Sequence, residues 1–362
     1  MKSFIALGLM SGTSVDGVDA SLIKTDGYGK VQVLSSLFLP YTKKVKSILS
    51  NYSSYNIFSL NKELIKSHTL IVKKILKITK VNFNDVYVIG FHGQTIRHAP
   101  EKGWTWQLGN ALDLAKHTRI DVVADFRSRD VHLGGEGAPL VPPYHKALIS
   151  SKNISRPLVI LNIGGVANIT WINNHDNLVA FDIGPGNGPI NELVRQRKGL
   201  DMDKDGLYAS KGKVDFKIVK DILRNNFFDK LPPKSLDRNY FDKICIQSTM
   251  NLSLEDAAAT IVQVVAEGLI KSIKFFPETP KLILVSGGGR KNVSLIKSLK
   301  NNLNVRVMLI DEKNYNGDSI EAEAFAYLAV RSKLGLPITW PDTTGVSIEA
   351  TGGYLVSSSR FR

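Results

Sequence analysis

The chain has 362 residues, more than one hydrophobic core usually holds, so about two domains are expected. Its composition, with 43% hydrophobic and 22% charged residues, excludes a disordered or fibrous protein. The single cysteine, Cys245, excludes an internal disulfide and a cysteine-rich zinc site, and it favours a reducing, cytoplasmic location.

The net charge is +14, from 47 Lys and Arg against 33 Asp and Glu. The lysines are scattered and form no long run, so they indicate a solvated surface and not a nucleic-acid site. No stretch approaches the ~20 apolar residues of a membrane helix. The opening MKSFIALGLMSG lacks a convincing signal-peptide cleavage site, and we interpret it as a strand. We therefore expect neither a nucleic-acid nor a membrane partner.

The first half of the chain predicts three strands, a helix, a strand, a second helix and a final strand. In that order, the elements are expected at residues 4–10, 18–23, 31–39, 60–78, 86–93, 111–117 and 120–126. A turn rich in Ser and Gly separates the first two strands.

The second half repeats this order. Its elements are expected at residues 158–165, 167–172, 178–186, 254–275, 281–289, 292–301 and 305–311, followed by a closing helix at 317–334. The pattern Ser253-x-x-Asp256 predicts the N-cap of the longest helix. PPKSLDRNYF, residues 232–241, is expected to be an ordered loop. The repeat predicts two duplicated α/β domains, at residues 1–150 and 151–362, with a cleft between them.

The first candidate site is SGTSVDGVD at residues 11–19. Gly12 and Gly17 allow backbone N–H groups to approach a phosphate. Asp16 and Asp19 offer the hard oxygen ligands that Mg2+ prefers. Ser, Gly and Asp are equally typical of an ordinary hairpin turn, so the pattern alone leaves both interpretations open.

Two further turns occur in the second half. Gly164 and Gly165 occupy the position that matches the first turn, which favours a pair of phosphate-binding turns. Asp182 ends a strand and precedes Gly-Pro-Gly, where a carboxylate is well placed to act as a general base. An Asp that only caps the turn is the alternative.

The remaining candidates lie near the C-terminus. Three consecutive glycines, Gly287, Gly288 and Gly289, would admit a flat ligand such as adenine against the backbone. Asn292 is a candidate ligand contact and is also expected to cap the next helix. On the last helix, the directions of Glu321 and Glu323 differ by about 160°. One carboxylate can then face a ligand while the other faces solvent, and two solvated glutamates are the alternative.

These motifs follow one another along nearly the whole chain: MSGTSVDGVDA, FHGQTIRHAP, WQLGN, VADFRSRDVHLGGEGAPLVP, NIGGVANIT, FDIGPGN, PPKSLDR, SGGGRKN and DSIEAEAFAYLA. Together they resemble the anhydro-N-acetylmuramic acid kinase family over about residues 5–350. The resemblance implies the actin/Hsp70/sugar-kinase fold, ATP and Mg2+ as cofactors, and a role in peptidoglycan recycling. It also implies the reaction, in which water opens 1,6-anhydro-N-acetylmuramic acid while ATP phosphorylates O6.

The resemblance implies roles for individual residues. Asp182 would be the base that takes a proton from water, and Glu321 an acid that positions water, sugar or metal. His92, Arg127 and Asp130 would lie on the sugar-binding side, although a structural histidine is the alternative for His92. A homodimer is implied as well, and Asp16 is the expected metal ligand. The loop that binds the ATP phosphates would comprise Gly12, Thr13, Ser14, Val15, Asp16, Gly17, Val18 and Asp19.

The sequence departs from the family pattern at three places. Glu136 stands where Gln is usual, and Ile183 stands where Thr is usual, so that a hydroxyl beside the proposed base is lost. Gly188-Pro189 replaces a bulky apolar pair and is expected to reshape the helix start near Asn191. None of these changes removes a proposed catalytic carboxylate.

Two other functions remain open at this point. A kinase for another 1,6-anhydro sugar, such as levoglucosan, would use the same scaffold with a smaller pocket. A nucleotide-dependent clamp of the Hsp70 type would need an appended peptide-binding domain, which we do not expect here.

Overall fold

The structure is a computed structural model that describes residues 2–361 except 13, 14, 51, 151 and 153. Its strands are β1 (Phe4–Ser11), β2 (Gly17–Thr25), β3 (Val31–Pro40), β4 (Val86–Ala99), β5 (Trp104–Leu108), β6 (Val122–Ala124), β7 (Leu158–Ile163), β8 (Val166–Ile172), β9 (Leu178–Pro185), β10 (Leu282–Ser286), β11 (Arg306–Leu309) and β12 (Tyr354–Val356). Its helices are α1 (Lys43–Ser50), α2 (Ile57–Thr79), α3 (Ala111–Thr118), α4 (Ser128–His132), α5 (Pro142–Ser150), α6 (Gly188–Lys198), α7 (Phe216–Leu223), α8 (Arg238–Ser248), α9 (Leu254–Ser272), α10 (Val293–Asn302), α11 (Ile320–Lys333) and α12 (Pro341–Thr344).

The chain divides into two compact units. The first unit contains residues 1–153 and 319–362, and the second contains residues 154–318. The first junction lies close to the boundary expected from the sequence. The second junction differs from that expectation, because α11 and the residues after it belong to the first unit and not to the C-terminal domain.

α11 can pack in the first unit because of a pair of glycines in the sheet of that unit. Gly8 of β1 and Gly90 of β4 are cross-strand neighbours in a parallel pair. A Cβ atom on Gly8 would lie 1.8 Å from the carbonyl oxygen of Ala322, and one on Gly90 would lie 2.0 Å from that of Phe325. Only glycine permits so close an approach. α11 therefore rests directly on the backbone of the first sheet.

Each unit is built on one mixed sheet. In the described residues, the strand order is β3-β2-β1-β4-β6-β12 in the first unit, with β5 paired to β4, and β9-β8-β7-β10-β11 in the second. Three antiparallel strands are followed in both sheets by two strands parallel to the first. In the first sheet, β12 then pairs antiparallel with β6. The prediction of two α/β domains with a duplicated order of elements is confirmed by this shared order.

The helices cover the sheets through periodic apolar faces. In α2 the buried residues recur at helical spacing, from Leu60 and Leu64 to Ile71 and Ile75. The predicted N-cap of α9 is confirmed, since Ser253 Oγ accepts from the backbone N–H of Asp256 at 3.1 Å. Among the helices of the described residues, none combines the length and hydrophobicity needed to cross a membrane.

Two local predictions were wrong. The segment 232–241 is a loop only as far as residue 237, because α8 begins at Arg238. The strand expected at 86–93 continues to Ala99 and forms a hairpin with β5. Its second part alternates polar and apolar residues less regularly, so the period-2 pattern ends before the strand does.

Candidate functional site

The predicted phosphate loop joins β1 to β2. Val15 donates its N–H to the carbonyl of Gly12 at 3.2 Å and has a φ of 55°, unusual for a β-branched residue. Thr13 and Ser14 lie outside the described residues. Val18 and Asp19 belong to β2, and Val18 is fully buried. The turn itself is therefore shorter than the predicted loop of residues 12–19.

Hydrogen bonds tie the start of this turn to β4. Ser11 Oγ donates to Gln94 Oε1 at 2.6 Å, and Gln94 Nε2 donates to the carbonyl of Gly12 at 3.0 Å. The Tyr41 hydroxyl lies 2.7 Å from Ser11 Oγ. Sequence analysis missed Gln94, although its place in the GQT motif was the available signal. Gln94 therefore fixes the position of the end of β1 and of the start of the predicted phosphate loop.

Two carboxylates stand beside the same turn. Burial raises the pKa of the Tyr41 hydroxyl above its usual value, the hydrogen bond with Ser11 opposes that change, and the negative charges of Asp16 and Asp19 add to it. Both aspartates are half-buried. Gly17 is required for a different reason than predicted, since its Cβ would lie 2.4 Å from the carbonyl oxygen of Leu39 and not against a ligand.

The structure brings together the three residues predicted on the sugar side. Arg127 donates from Nε and Nη2 to His92 Nε2, at 3.2 and 3.0 Å, and from Nη1 to the carbonyl of Gly137 at 2.7 Å. His92 Nδ1 lies 2.8 Å from the carbonyl of Gly93. A carbonyl only accepts, so Nδ1 carries the proton and Nε2 is free to accept. Burial, with the charge of Arg127, keeps the pKa of His92 well below its usual range.

Asp130 supports the same loop from beneath. Its Oδ1 accepts from the N–H of Gly137 at 2.6 Å, and its Oδ2 accepts from the Thr344 hydroxyl at 2.6 Å. The N–H of Glu136 also donates to the carbonyl of Thr344, at 2.6 Å. Asp130 is only 2% exposed. Both carboxylate oxygens of Asp130 are therefore hydrogen-bonded to groups of the protein.

A recess of about 300 Å3 opens beside His92 in the first unit. Trp106, Gln107, Asp125 and Tyr354 are among its lining residues. A larger groove of about 460 Å3 lies along α2 near Lys73 and Lys77, away from every residue singled out by the sequence.

In the second unit, two glycine turns form one rigid structure. The N–H groups of Gly186 and Gly188 donate to the carbonyl of Gly165, at 3.0 and 3.1 Å, and Asn187 N–H donates to that of Gly164 at 2.8 Å. A Cβ on Gly188 would lie 2.8 Å from the Gly165 oxygen. The departure at this position therefore permits the close contact. The helix start also differs from the expectation, because α6 begins at Gly188 with Pro189 in its first turn.

Asp182 lies on β9 just before these turns and is 6% exposed. Its N–H donates to the carbonyl of Lys234 at 3.0 Å, and its Oδ2 accepts from the N–H of Leu236 at 2.8 Å. The side chains of Phe181 and Ile183 lie in the hydrophobic core. The pairing of β9 with β8 skips Ile183, because Ala167 pairs with Gly184 and Asn168 pairs with Asp182. Ile183 is therefore the extra residue of a bulge.

The three glycines predicted to contact adenosine have different surroundings. Around Gly288 there is open space, whereas a Cβ on Gly287 would lie 2.4 Å from Asn162 Oδ1 and one on Gly289 would lie 2.3 Å from Ile163 Cγ2. Of the three glycines, Gly288 is exposed, Gly287 is half-buried and Gly289 is buried. Asn292 caps α10 as predicted, accepting from the N–H of Leu295 at 3.1 Å.

A buried arginine, missed by the sequence analysis, holds this turn. Arg290 donates from Nε and Nη2 to both carboxylate oxygens of Asp311, at 2.7 and 3.3 Å. From Nη1 it donates to Asp318 Oδ1 at 2.7 Å and to the carbonyl of Gly287 at 3.0 Å. Its place directly after the glycines was the available signal. The network ties the glycine turn to the end of the unit.

The two glutamates of α11 differ, but not as expected. Glu321 is half-buried, whereas Glu323 is 2% exposed and not solvated. Glu323 accepts from the hydroxyls of Ser319, at 2.5 Å, and Tyr144. Burial raises its pKa above the usual range, and those two hydrogen bonds oppose the change. α11 is buried on nearly every side, which the polar sequence of its first turn did not reveal.

Comparisons with known proteins agree with the motif order. The sequence profile of anhydro-N-acetylmuramic acid kinase matches residues 4–357. The anhydro-N-acetylmuramic acid kinase of Zymomonas mobilis subsp. mobilis is 46% identical over 96% of this chain and 98% of that protein. Those of Rhizorhabdus wittichii and Rhodospirillum rubrum are each 41% identical, over 98% and 96% of this chain and 99% and 93% of those proteins. The chain belongs to the anhydro-N-acetylmuramic acid kinase family.

Proposed function

We propose that this protein uses ATP and water to convert 1,6-anhydro-N-acetylmuramic acid into N-acetylmuramic acid 6-phosphate and ADP, a step in the recycling of peptidoglycan. The observation that carries the proposal is the family match over residues 4–357. The Asp182 residue is held by the backbone of residues 234–236. We further propose a cytoplasmic location. We also propose a homodimer, and sedimentation of the purified protein would test this oligomeric state.

Asp182 acts as the general base. Its carboxylate takes one proton from water while the water oxygen bonds to C1 of the sugar, and the C1–O6 bond breaks. O6 then bonds to the γ-phosphorus of ATP as the bond to the ADP oxygen breaks, and the proton on Asp182 passes to solvent. A positioned base of this kind contributes about 10²- to 10⁴-fold to the rate.

The glycine turns hold the nucleotide. We expect the phosphates at backbone N–H groups of the Gly12 turn and of Gly165, because the N–H of Gly164 already donates to the carbonyl of Val166 at 3.1 Å. The open backbone at Gly288 is where the adenosine would lie. Asp16 and Asp19 would hold Mg2+, because their oxygens and negative charge suit a hard cation. In the described residues no three His, Cys, Asp or Glu gather as a metal-binding group, so phosphate oxygens and water would complete its coordination. When bound, the ion neutralises charge on the phosphates.

The sugar is bound in the first unit. The Arg127 guanidinium supplies the positive charge for the lactyl carboxylate, and His92 stays neutral and fixes the orientation of Arg127. Asp130 acts through Gly137 and not by direct contact, since both of its oxygens are bonded to the protein. Glu321 positions water, sugar or metal.

The test is a coupled assay of ADP release with Mg-ATP and 1,6-anhydro-N-acetylmuramic acid, N-acetylmuramic acid or levoglucosan. We expect turnover with the first sugar only, a loss of about 10²-fold or more in Asp182→Asn, and no loss in Asp221→Asn, which removes an exposed charge in the same unit. In oxygen-18 water, the label should enter the sugar and not the phosphate. Label in the phosphate, or turnover of levoglucosan alone, would contradict the proposal.

A further inference from the structure

A lysine with no assigned role is buried in the second unit. Lys234, in the PPKSLDR segment, is 2% exposed. Its Nζ lies 4.7, 4.8 and 5.7 Å from the ring centroids of Phe227, Phe275 and Phe181 and donates to the carbonyl of Phe227 at 2.9 Å. Three aromatic faces and one carbonyl thus surround the ammonium group, an arrangement that stabilises a cation away from water.

The backbone around this lysine makes two hydrogen bonds with Asp182, the proposed base. The carbonyl of Lys234 accepts from the N–H of Asp182 at 3.0 Å, and the N–H of Leu236 donates to Asp182 Oδ2 at 2.8 Å. The residue between these contacts and the aromatic rings is Lys234 itself. The side chain therefore anchors the short segment that carries both backbone groups bonded to Asp182.

Packing alone does not explain a lysine here. A cavity lined by phenylalanine rings accepts an apolar side chain without the cost of desolvating a charge. Burial lowers the pKa of Lys234 to about 8, so at pH 7 the side chain is still an ammonium. A buried charge that an apolar residue could replace indicates a role other than stability.

We infer that Lys234 is a positioning residue for the reaction: its ammonium group, held by three phenyl rings, fixes the 234–236 backbone that aims the Asp182 carboxylate. The inference rests on the proposed function of Asp182. It requires no contact between Lys234 and substrate, so its signature is a loss in kcat with little change in the binding of either substrate.

The chain offers a matched control. Lys274 also lies over the ring of Phe275, at 5.0 Å, and pairs with Asp229 at 2.7 Å, but its side chain is 52% exposed. Lys274→Met removes a charge over one of the same three rings without touching the backbone at Asp182. We expect kcat to fall about tenfold or more in Lys234→Met, with both KM values within about threefold. Lys274→Met should keep the kcat of the unsubstituted protein.

A double-mutant cycle separates positioning from general loss of structure. If Lys234 acts through Asp182, Lys234→Met should change kcat by less than about twofold in an Asp182→Asn background. Amide exchange of the peptide that contains Leu236 should be about tenfold faster in Lys234→Met and unchanged in Lys274→Met. If Lys234→Met does not fold, Phe275→Leu removes one ring face, and the same pattern is expected at smaller size.

Three outcomes would overturn the inference. One is a Lys234→Met enzyme with unaltered kcat while Asp182→Asn is inactive, which leaves the proposed function standing. Another is an equal loss of kcat in both backgrounds, which indicates a structural role. The third is full activity in Asp182→Asn, which removes the base and with it the reason to position it.

Discussion

Ser11 Oγ donates to Gln94 Oε1 at 2.6 Å across two parallel strands, 83 residues apart in sequence. The amide nitrogen of Gln94 also donates to the carbonyl of Gly12. These two hydrogen bonds of the Gln94 side chain attach the start of the predicted phosphate turn to β4.

Replacement of Gln94 by Met should weaken the binding of ATP. The change leaves the Gly12 carbonyl and the Ser11 hydroxyl with one partner fewer, and each unsatisfied buried group costs about 1 to 3 kcal/mol. We expect the KM for ATP to rise about tenfold while the KM for the sugar stays within about twofold. Steady-state kinetics check this, with the exposed Gln196→Met as control. Equal increases in both KM values would mean that the unit is disturbed as a whole.

Local signals in the sequence predicted much of the fold. The repeated order of strands and helices is visible because each element carries its own period, and the Ser253 and Asn292 caps depend on residues three positions apart. The return of α11 was not predictable in this way. It depends on Gly8 and Gly90 being paired across two strands, a relationship that appears only once the sheet is formed.

The candidate site was predictable to a similar degree. Asp182 lies within β9 and the glycine turns follow strands directly, so their position is local. Gln94 and Lys234 bond to backbone groups distant in sequence, and Arg290 bonds to the distant carboxylates of Asp311 and Asp318. No spacing pattern describes these bonds. Asp130 lies in α4, and the sequence alone cannot show that both of its carboxylate oxygens bond to the protein.

Ile183 gives a prediction about the hydroxyl that this chain lacks. The side chain is 2% exposed and packs in the core, so Ile183→Thr would bury a hydroxyl there and lower the free energy of unfolding by about 1 to 3 kcal/mol. We expect kcat to stay within about twofold. Ile183→Val, which keeps the shape, should cost about 0.5 to 1.5 kcal/mol. A kcat several times higher in the Thr variant would show that the side chain faces the base.

Arg290 gives a prediction about the adenosine side. Its side chain is 6% exposed and bonds to Asp311 and Asp318, so Arg290→Met should lower the free energy of unfolding by about 2 to 4 kcal/mol and raise the KM for ATP. Lys291 pairs with the same Asp318 but is 55% exposed. Lys291→Met should cost less than about 1 kcal/mol. Denaturant unfolding and ATP kinetics of both variants check the contrast.

The same network should make stability depend on acid pH. The hydrogen bond from Arg290 lowers the pKa of Asp318 from 3.8 to about 2. Between those values the unfolded chain binds more protons than the folded one, so this contribution to the free energy of unfolding is present at neutral pH and is lost as the pH falls from 3.8 towards 2. Unfolding measured at pH 2 to 5 should show a weaker slope in Arg290→Met. An unchanged slope would contradict the assignment.

Lys234 gives a second prediction about pH, in the alkaline range. Burial lowers its pKa from 10.5 to about 8, so between these values the unfolded chain binds more protons, and the free energy of unfolding rises with pH by up to about 3 kcal/mol. Lys234→Met should remove this rise and be no less stable at pH 7. Lys274→Met should retain it. Chemical unfolding at pH 7 to 10.5 measures the difference, and a rise that persists in Lys234→Met would contradict the assignment.

The position of α11 in the first unit sets an order for folding during synthesis. The second unit is one continuous segment, residues 154–318, inserted within the first. On the ribosome it can complete its core while the groove formed by Gly8 and Gly90 is still uncovered, because α11 has not yet been made. The first unit must then keep an unfinished sheet until translation passes residue 333. A ribosome-stalled chain that ends before α11 should therefore contain a protease-resistant second unit and a protease-sensitive first one.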